Sequence, residues 1–178
     1  ANPFVTQQLS QPAGEIGELV GRSSTMMSGY QNQPDKTREG YWIDPEDGSV
    51  WQRMGDIGRL DADGFVELLG RSKDMIISGG FNIYPVDLEG ILLGLPGVEE
   101  AAVIGVPSER WGETPVGFVT GGKGVKLDTD ALLKAANDQL GKTQRLSALF
   151  QIDEMPRSHI GKLLKTDLRD MVAGKEIA

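Results

Sequence analysis

The sequence contains no cysteine and only one histidine among its 178 residues. The absence of cysteine excludes disulfide bonds, thiol nucleophiles and sulfur-ligated metal centres. A single histidine cannot supply the nitrogen ligands of an ordinary transition-metal site, so no metal-ligating residue is assigned in this chain. A chain without cysteine is compatible with a reducing compartment, and we therefore expect a cytoplasmic protein.

Long hydrophobic runs are also missing, and aromatic residues make up only 6% of the chain. No stretch approaches the roughly 18 apolar residues that a membrane-spanning helix needs. The first residues lack the basic, apolar and small-residue order of a secretion signal. With 39% hydrophobic residues, the composition predicts a soluble globular protein with no membrane span.

Positive charge is scarce, because 18 basic residues face 26 acidic ones and the formal charge is −8. Such a chain repels a polyanion at long range, so nucleic acid is not an expected partner. An anionic ligand would have to be held by a few local positive contacts. Glycine is abundant: 24 of the 178 residues are glycine, close to twice the usual share of about 7%. This abundance favours short strands and tight turns over a helical bundle.

The first 70 residues are predicted to be rich in β-strands. Two pairs of short alternating runs are each joined by a turn sequence, PEDG and DADG, as in β-hairpins. The predicted strands cover residues 15–21, 41–43, 50–53, 56–60 and 65–70, and PDKTRE (34–39) is predicted to form a short helical turn.

From residue 71 onward, apolar residues at helical spacing alternate with apolar runs typical of strands. The predicted helices cover residues 86–95, 128–140 and 163–172, and the predicted strands cover 99–107, 114–121 and 148–155. Asp128 or Thr129 is expected to cap the second of these helices, with Gly141 as its stop. We therefore predict a β-rich part at 1–70 and an α+β part with an antiparallel sheet at 71–178, joined by a short polar hinge near 71–74.

The segment GDIGRLDADGFVELLGRSKDMIISGGFNIYPVDLE (55–89) closely resembles the adenylate-forming enzymes, which include acyl-CoA synthetases, luciferases and nonribosomal-peptide adenylation domains. The resemblance extends backward through residues 12–37 and forward through 97–119 to PRSHIGKLLKTDLR (156–169). It implies the last third of such an enzyme: a terminal barrel-like β subdomain, the hinge and a mobile C-terminal domain.

The resemblance is to the CoA-ligase branch, because Lys73 stands where peptide-synthetase domains usually carry an aspartate. It implies an ATP-dependent carboxylate–CoA ligase that forms an acyl-adenylate and then a CoA thioester. The implied ligands are ATP, CoA and a small-molecule carboxylic acid, with Mg²⁺ held by residues outside this chain. The missing N-terminal region of the same protein is the implied partner, and the chain alone is expected to be inactive.

Three residues are implied to act on the nucleotide. Lys162 matches the Gly-Lys motif and would bridge the carboxylate and the α-phosphate as the catalytic residue. Asp56 matches the carboxylate that binds the ribose hydroxyls, and Arg71 matches a second ribose or phosphate contact. The alternatives are a solvated loop lysine at Lys162 and a strand-edge aspartate at Asp56.

The remaining implied residues concern the hinge and CoA. Lys73 matches the hinge, and Gly79, Gly80 and Phe81 match the loop that lines the pantetheine tunnel. A simple bulge in a strand is the alternative for the two glycines.

The sequence also departs from the family pattern at two places. Met54 replaces a usual threonine, and Trp111 replaces the basic residue that holds a CoA phosphate in some relatives. No CoA-phosphate contact is therefore assigned.

Two other functions stay open at this point. An adenylation domain that serves a carrier protein would use the same first reaction with a different acceptor. A stand-alone binding module could have kept the fold without the chemistry. The acyl substrate cannot be read, because the residues that shape its pocket in the family lie outside this chain.

Overall fold

A computed structural model describes residues 5–7 and 14–175 of the chain. The chain divides into two compact units, residues 1–73 and 74–178, with the boundary between Lys73 and Asp74. In the described part of the chain, no helix is both long enough and apolar enough to cross a membrane.

The first unit is built on a five-stranded antiparallel sheet. The central strand β4 pairs with β2 along one edge and with β3 and then β5 along the other. Both predicted hairpins, β3–β4 and β4–β5, are confirmed. Its elements are β1 (Val5–Gln7), β2 (Gly17–Arg22), α1 (Pro34–Glu39), β3 (Tyr41–Ile43), β4 (Val50–Leu60) and β5 (Val66–Arg71).

The turn between β4 and β5 is fixed by Asp61. Its carboxylate accepts hydrogen bonds from the backbone N–H groups of Asp63 (2.9 Å) and Phe65 (2.8 Å), which is how aspartate stabilises turns. The resulting register places Asp56 on β4 directly opposite Arg71 on β5. Two residues that are 15 positions apart in the sequence are thereby brought side by side.

The second unit is an α+β unit around a central strand, β9. This strand pairs with β8 along one edge and with β10 and β6 along the other, and β7 follows β6. A short 3-10 turn (Ser72–Asp74) leads into the unit. Its elements are β6 (Ile76–Ser78), β7 (Phe81–Ile83), α2 (Pro85–Leu93), β8 (Val98–Ser108), β9 (Gly112–Gly121), α3 (Thr129–Asn137), β10 (Ala148–Gln151) and α4 (Lys165–Val172).

The α+β fold class and the order of a β-rich part before it are confirmed. One strand departs from the expected antiparallel sheet, because β10 runs parallel to β9. The helix α3 lies between these two strands in the chain. A helical crossover returns the chain to the same end of the sheet, so the second strand runs in the same direction as the first.

The sheet of the second unit is buried on both faces. One apolar cluster packs α2 and α3 against Val103 and Val119. The other packs α4 against the neighbouring residues Ile104 and Phe118. Because successive side chains of a strand point to opposite faces, strands covered on both faces read as nearly continuous apolar runs, as β8 and β9 do.

The helix α3 begins as predicted but ends early. The side chain of Asp128 caps it by accepting a hydrogen bond from the N–H of Ala131 at 3.0 Å. The predicted stop at Gly141 is wrong, because the helix ends at Asn137. The side-chain amide of Asn137 instead donates to the carbonyl of Leu146 (2.9 Å) and accepts from its N–H (2.8 Å), which ties the helix end to the chain that leads into β10.

Candidate functional site

The segment around the Gly-Lys pair folds as a tight hairpin, which we call the Lys162 hairpin (residues 156–164). The N–H of Ser158 donates to the carbonyl of Lys162, and the N–H of Gly161 donates to the carbonyl of Ser158, both at 2.8 Å. Gly161 has a φ of +79°, as the last residue of a three-residue hairpin loop often does. A Cβ there would meet open space, so glycine is favoured by backbone conformation and not by crowding.

Lys162 lies at the exposed end of this hairpin. Its backbone N–H donates to the Ser158 hydroxyl at 3.2 Å. Among the described residues, no hydrogen bond or ion pair engages its ammonium group. The charge is therefore presented outward, as both the catalytic interpretation and the solvated-lysine alternative require.

Lys165, three residues further on, is held very differently. Its ammonium nitrogen lies 2.8 Å from a carboxylate oxygen of Glu89 and donates to the carbonyl of Val103 at 3.0 Å. The side chains of Lys165 and Glu89 are only 17% and 20% exposed. Lys165 is thus a structural lysine that fixes the start of α4 to α2 and β8.

Arg157, near the start of the hairpin, was not predicted from the sequence. Its guanidinium forms an ion pair with Glu100 on β8 and donates to the carbonyl of Gly161 at 3.1 Å. The partner carboxylate lies 57 residues earlier in the chain. No local spacing could indicate this pair, because it depends on where β8 passes beneath the hairpin.

Asp56 and Arg71 form an ion pair in the first unit. The Nε of Arg71 lies 2.8 Å from the Oδ1 of Asp56, and an Nη1 of Arg71 lies 3.4 Å from the carbonyl of Met54. Both side chains are partly exposed. The structure therefore brings together the two residues that the resemblance assigns to the nucleotide.

A cleft of about 740 Å³ lies beside this pair, within the first unit. Four cationic side chains and two carboxylates, those of Glu18 and Glu39, line it. The side chain of Glu18 accepts a hydrogen bond from Arg53 at 3.0 Å and raises the pKa of that guanidinium. The cationic residues that line the cleft are Lys36, Arg53, Arg71 and Lys73.

Positive charges outnumber negative ones in this lining, although Arg53 is paired with Glu18 and Arg71 with Asp56. The predicted hinge residue, Lys73, is exposed in the 3-10 turn and belongs to this lining.

Gly79 and Gly80 form the two-residue turn between β6 and β7, and the alternative of a bulge is wrong. Their φ angles are +57° and +84°, and Ser78 pairs with Phe81 across the turn. Both central positions thus have the positive φ of a type I′ hairpin. Phe81 is 59% exposed, so its ring is free to contact another part of the protein or a ligand.

The turn packs closely on Trp111. The N–H of Gly79 donates to the carbonyl of Trp111 at 2.8 Å, and a Cβ on Gly79 would lie 2.9 Å from the indole ring. The guanidinium of Arg110 lies 4.8 Å from the centre of the same ring. Trp111, which departs from the family pattern, therefore supports the glycine turn.

The predicted residues fall into two groups. Asp56, Arg71 and Lys73 belong to the first unit, whereas Gly79 to Phe81 and Lys162 belong to the second. Within residues 14–175, no cluster of three or more His, Cys, Asp or Glu side chains could hold a metal ion.

Comparison with known proteins gives one family match. Residues 87–162 match the AMP-binding enzyme C-terminal domain. The chain is 38% identical over 162 residues to a 2-succinylbenzoate–CoA ligase of Geobacillus kaustophilus, which covers 91% of this chain and 32% of the relative. It is 40% identical over 158 residues to a feruloyl-CoA synthase of an Amycolatopsis species, covering 89% of this chain and 31% of the relative.

A crystal structure agrees with these matches. ATP-bound MatB from Rhodopseudomonas palustris superposes with a TM-score of 0.83 at 34% identity, over 96% of this chain and 34% of that chain. The present chain thus spans about a third of the length of the relatives it matches.

Fold and motifs together match the C-terminal third of these relatives. A β-rich unit with a paired aspartate and arginine precedes an α+β unit that presents a lysine on a glycine turn. The chain belongs to the adenylate-forming superfamily.

Proposed function

We propose that this chain is the C-terminal part of an ATP-dependent carboxylate–CoA ligase. In the first reaction, a carboxylate oxygen attacks the α-phosphorus of ATP, the bond to pyrophosphate breaks, and an acyl-adenylate forms. In the second reaction, the thiol of CoA attacks the acyl carbon, giving the thioester and releasing AMP. The names of the relatives, a CoA ligase and a CoA synthase, support this reaction class.

The observation that carries the proposal is the setting of Lys162. Two anions must approach one another in the first reaction, and negative charge builds up around the α-phosphate. A compact ammonium group can contact oxygens of both reactants and stabilise that charge. Lys162 meets this need because a closed hairpin presents its exposed ammonium group, whereas Lys165, three residues further on, is engaged with Glu89.

Asp56 and Arg71 are proposed to bind the nucleotide. Asp56 would accept hydrogen bonds from the ribose hydroxyls, and Arg71 would contact ribose or phosphate oxygens. Their ion pair at 2.8 Å holds both side chains in one place before any ligand arrives. The cationic cleft beside them supports an anionic ligand.

The second reaction, in which the acyl group passes to the CoA thiol, is proposed to use Gly79, Gly80 and Phe81. Gly80 has no atom within 4 Å of the place where a Cβ would stand, which leaves room for a thin pantetheine arm to pass against the backbone, whereas Trp111 packs on Gly79. The ligands of Mg²⁺ are expected in the N-terminal region of the complete protein. The hinge near residues 71–74 is proposed to let the second unit serve the two reactions in turn.

The decisive experiment replaces the lysine in the full-length protein. Lys162→Ala should lower the rate of acyl-adenylate formation by about 100- to 1,000-fold, because one charge-assisted contact in the transition state is lost. Pyrophosphate release from ATP and acid would report this rate. Thioester formation from supplied acyl-adenylate and CoA should be preserved, because the lysine serves only the first reaction.

The matched control is Lys134→Ala, which removes an exposed lysine from helix α3 of the same unit. It should leave both reactions unchanged. Equal loss of both reactions in Lys162→Ala, or no loss in either, would contradict the role proposed for this lysine.

The acid itself requires a separate assay. The relatives act on different acids, as the names 2-succinylbenzoate–CoA ligase and feruloyl-CoA synthase state. Pyrophosphate release by the full-length protein should therefore be compared for malonate, benzoate, ferulate, hexanoate and palmitate. CoA-dependent release of AMP would then distinguish a CoA ligase from an enzyme that serves a carrier protein.

A further inference from the structure

We propose that Arg157 and Glu100 are positioning residues, which set the direction in which the Lys162 hairpin presents its ammonium group. This inference rests on the proposed role of Lys162 in adenylate formation. Neither residue belongs to the predicted site, and neither is placed in contact with a ligand. They restrain the peptide group that joins Gly161 to Lys162.

The guanidinium of Arg157 links two parts of the second unit. One nitrogen pairs with the carboxylate of Glu100 on β8, and another donates to the carbonyl of Gly161 at 3.1 Å. Strand β8 is part of the buried sheet, with Ala102, Val103 and Ile104 fully covered. Arg157 therefore connects the tip of an exposed hairpin to a strand of the buried sheet.

The contact with Gly161 bears directly on Lys162. The carbonyl of Gly161 and the backbone nitrogen of Lys162 belong to one planar peptide group. When Arg157 holds this oxygen, it restricts the rotation of the whole peptide plane and so the direction of the Cα–Cβ bond of Lys162. The N–H end of the same peptide group is held within the hairpin by the Ser158 hydroxyl at 3.2 Å, and Arg157 adds a restraint on its carbonyl end from outside the loop.

The other end of the hairpin is anchored separately. Lys165 binds Glu89 and the carbonyl of Val103, also on β8. This second anchor is largely buried and supports the fold, whereas Arg157 and Glu100 are 46% and 42% exposed. Exposed ion pairs contribute little to stability. The Arg157–Glu100 pair is therefore suited to orienting the hairpin and not to holding the domain together.

The test uses Arg157→Ala in the full-length protein, with malonate, benzoate, ferulate, hexanoate and palmitate as probe acids. The kcat of acyl-adenylate formation should fall about 10-fold, because a misdirected catalytic group loses transition-state contact. The KM for ATP, the rate of thioester formation from supplied acyl-adenylate and the Tm should stay close to those of the parent protein. Glu100→Gln should reproduce this pattern more weakly, because the contact to Gly161 is retained.

The control variant is Arg59→Ala. Arg59 pairs with Glu67 across β4 and β5 at 2.6 Å, with 42% and 50% exposure, and so closely matches the Arg157–Glu100 pair. Loss of Arg59 should leave acyl-adenylate formation unchanged. An equal loss of kcat in both variants would overturn the inference, because it would point to net charge and not to the hairpin.

A double variant separates positioning from simple destabilisation. If Arg157 acts through Lys162, then Arg157→Ala should cause no further loss of adenylate formation in a Lys162→Ala background. A further loss, or a fall of both reactions together with the Tm, would overturn the inference. A large effect of Lys162→Ala with none of Arg157→Ala would refute the inference alone, whereas no effect of Lys162→Ala would refute the proposed function as well.

Discussion

At the residue scale, Gly79 and Gly80 occupy neighbouring positions with positive φ but differ in their surroundings. A Cβ on Gly79 would lie 2.9 Å from the Trp111 ring, whereas a Cβ on Gly80 would meet nothing within 4 Å. Each alanine should cost about 1 kcal/mol for the left-handed backbone. Gly79→Ala should cost about 1–3 kcal/mol more, because it also crowds the indole.

Urea denaturation of the two variants, followed by circular dichroism, would measure this difference. Gly80→Ala serves as the control, since it carries the backbone strain without the clash. Equal destabilisation by both substitutions would show that the contact with Trp111 is not limiting.

Single residues were predictable from the sequence only where a motif contains them. The resemblance assigns Lys162, Asp56 and Arg71 individually, and the structure adds that Asp56 and Arg71 are in contact. Arg157 was missed because its partner, Glu100, is defined by the path of β8 and not by local spacing. Long-range pairs of this kind require the fold before they can be recognised.

At the element scale, the end of helix α3 depends on one side chain. Asn137→Ala should lower the free energy of unfolding by about 1–3 kcal/mol, because it removes partners from both the N–H and the carbonyl of Leu146. Asn137→Asp keeps the acceptor but loses the donor, so its free energy of unfolding should lie between those of the parent protein and Asn137→Ala. Urea denaturation would rank the variants.

The exposed neighbour Asp138 provides the control for this series. Asp138→Ala should change the free energy of unfolding by no more than about 0.5 kcal/mol. A comparable loss in Asp138→Ala and Asn137→Ala would contradict the role given to the contact with Leu146, because alanine favours the helix at both positions.

Element types were more predictable than their ends and partners. The hairpin β4–β5 followed from alternation and the DADG turn, and Asp128, the cap of α3, is one of the two caps predicted from residue type. The end of α3 and the parallel pairing of β10 with β9 could not be predicted from the local sequence pattern. Both depend on contacts between segments that are distant in the chain, so local pattern carries no information about them.

At the scale of the whole molecule, the two units differ in their apolar cores. Both described clusters of buried apolar residues lie in the second unit. The first unit leaves large apolar side chains in solvent, including Phe65 at 72% exposure. We expect residues 74–178 alone to unfold cooperatively in urea and residues 1–73 alone to show no cooperative transition.

Tryptophan fluorescence can follow both segments. Trp111 is the only tryptophan of the second, and Trp42 and Trp51 are those of the first. A sharp transition in residues 1–73 would contradict this expectation, because it would show that their sheet is stable without additional cover. The composition of the sequence also changes near residue 71, where the polar run GRSKD separates the two patterns.

The exposure of the Arg157–Glu100 pair has a consequence for the medium in which the protein works. The attraction between two opposite charges that are nearly half exposed is screened by dissolved ions. The Debye length of the solution is only about 8 Å at physiological ionic strength. Buried apolar contacts are not screened in this way. A rise in ionic strength would therefore let the direction of the Lys162 side chain vary more widely, while the α+β unit stays folded.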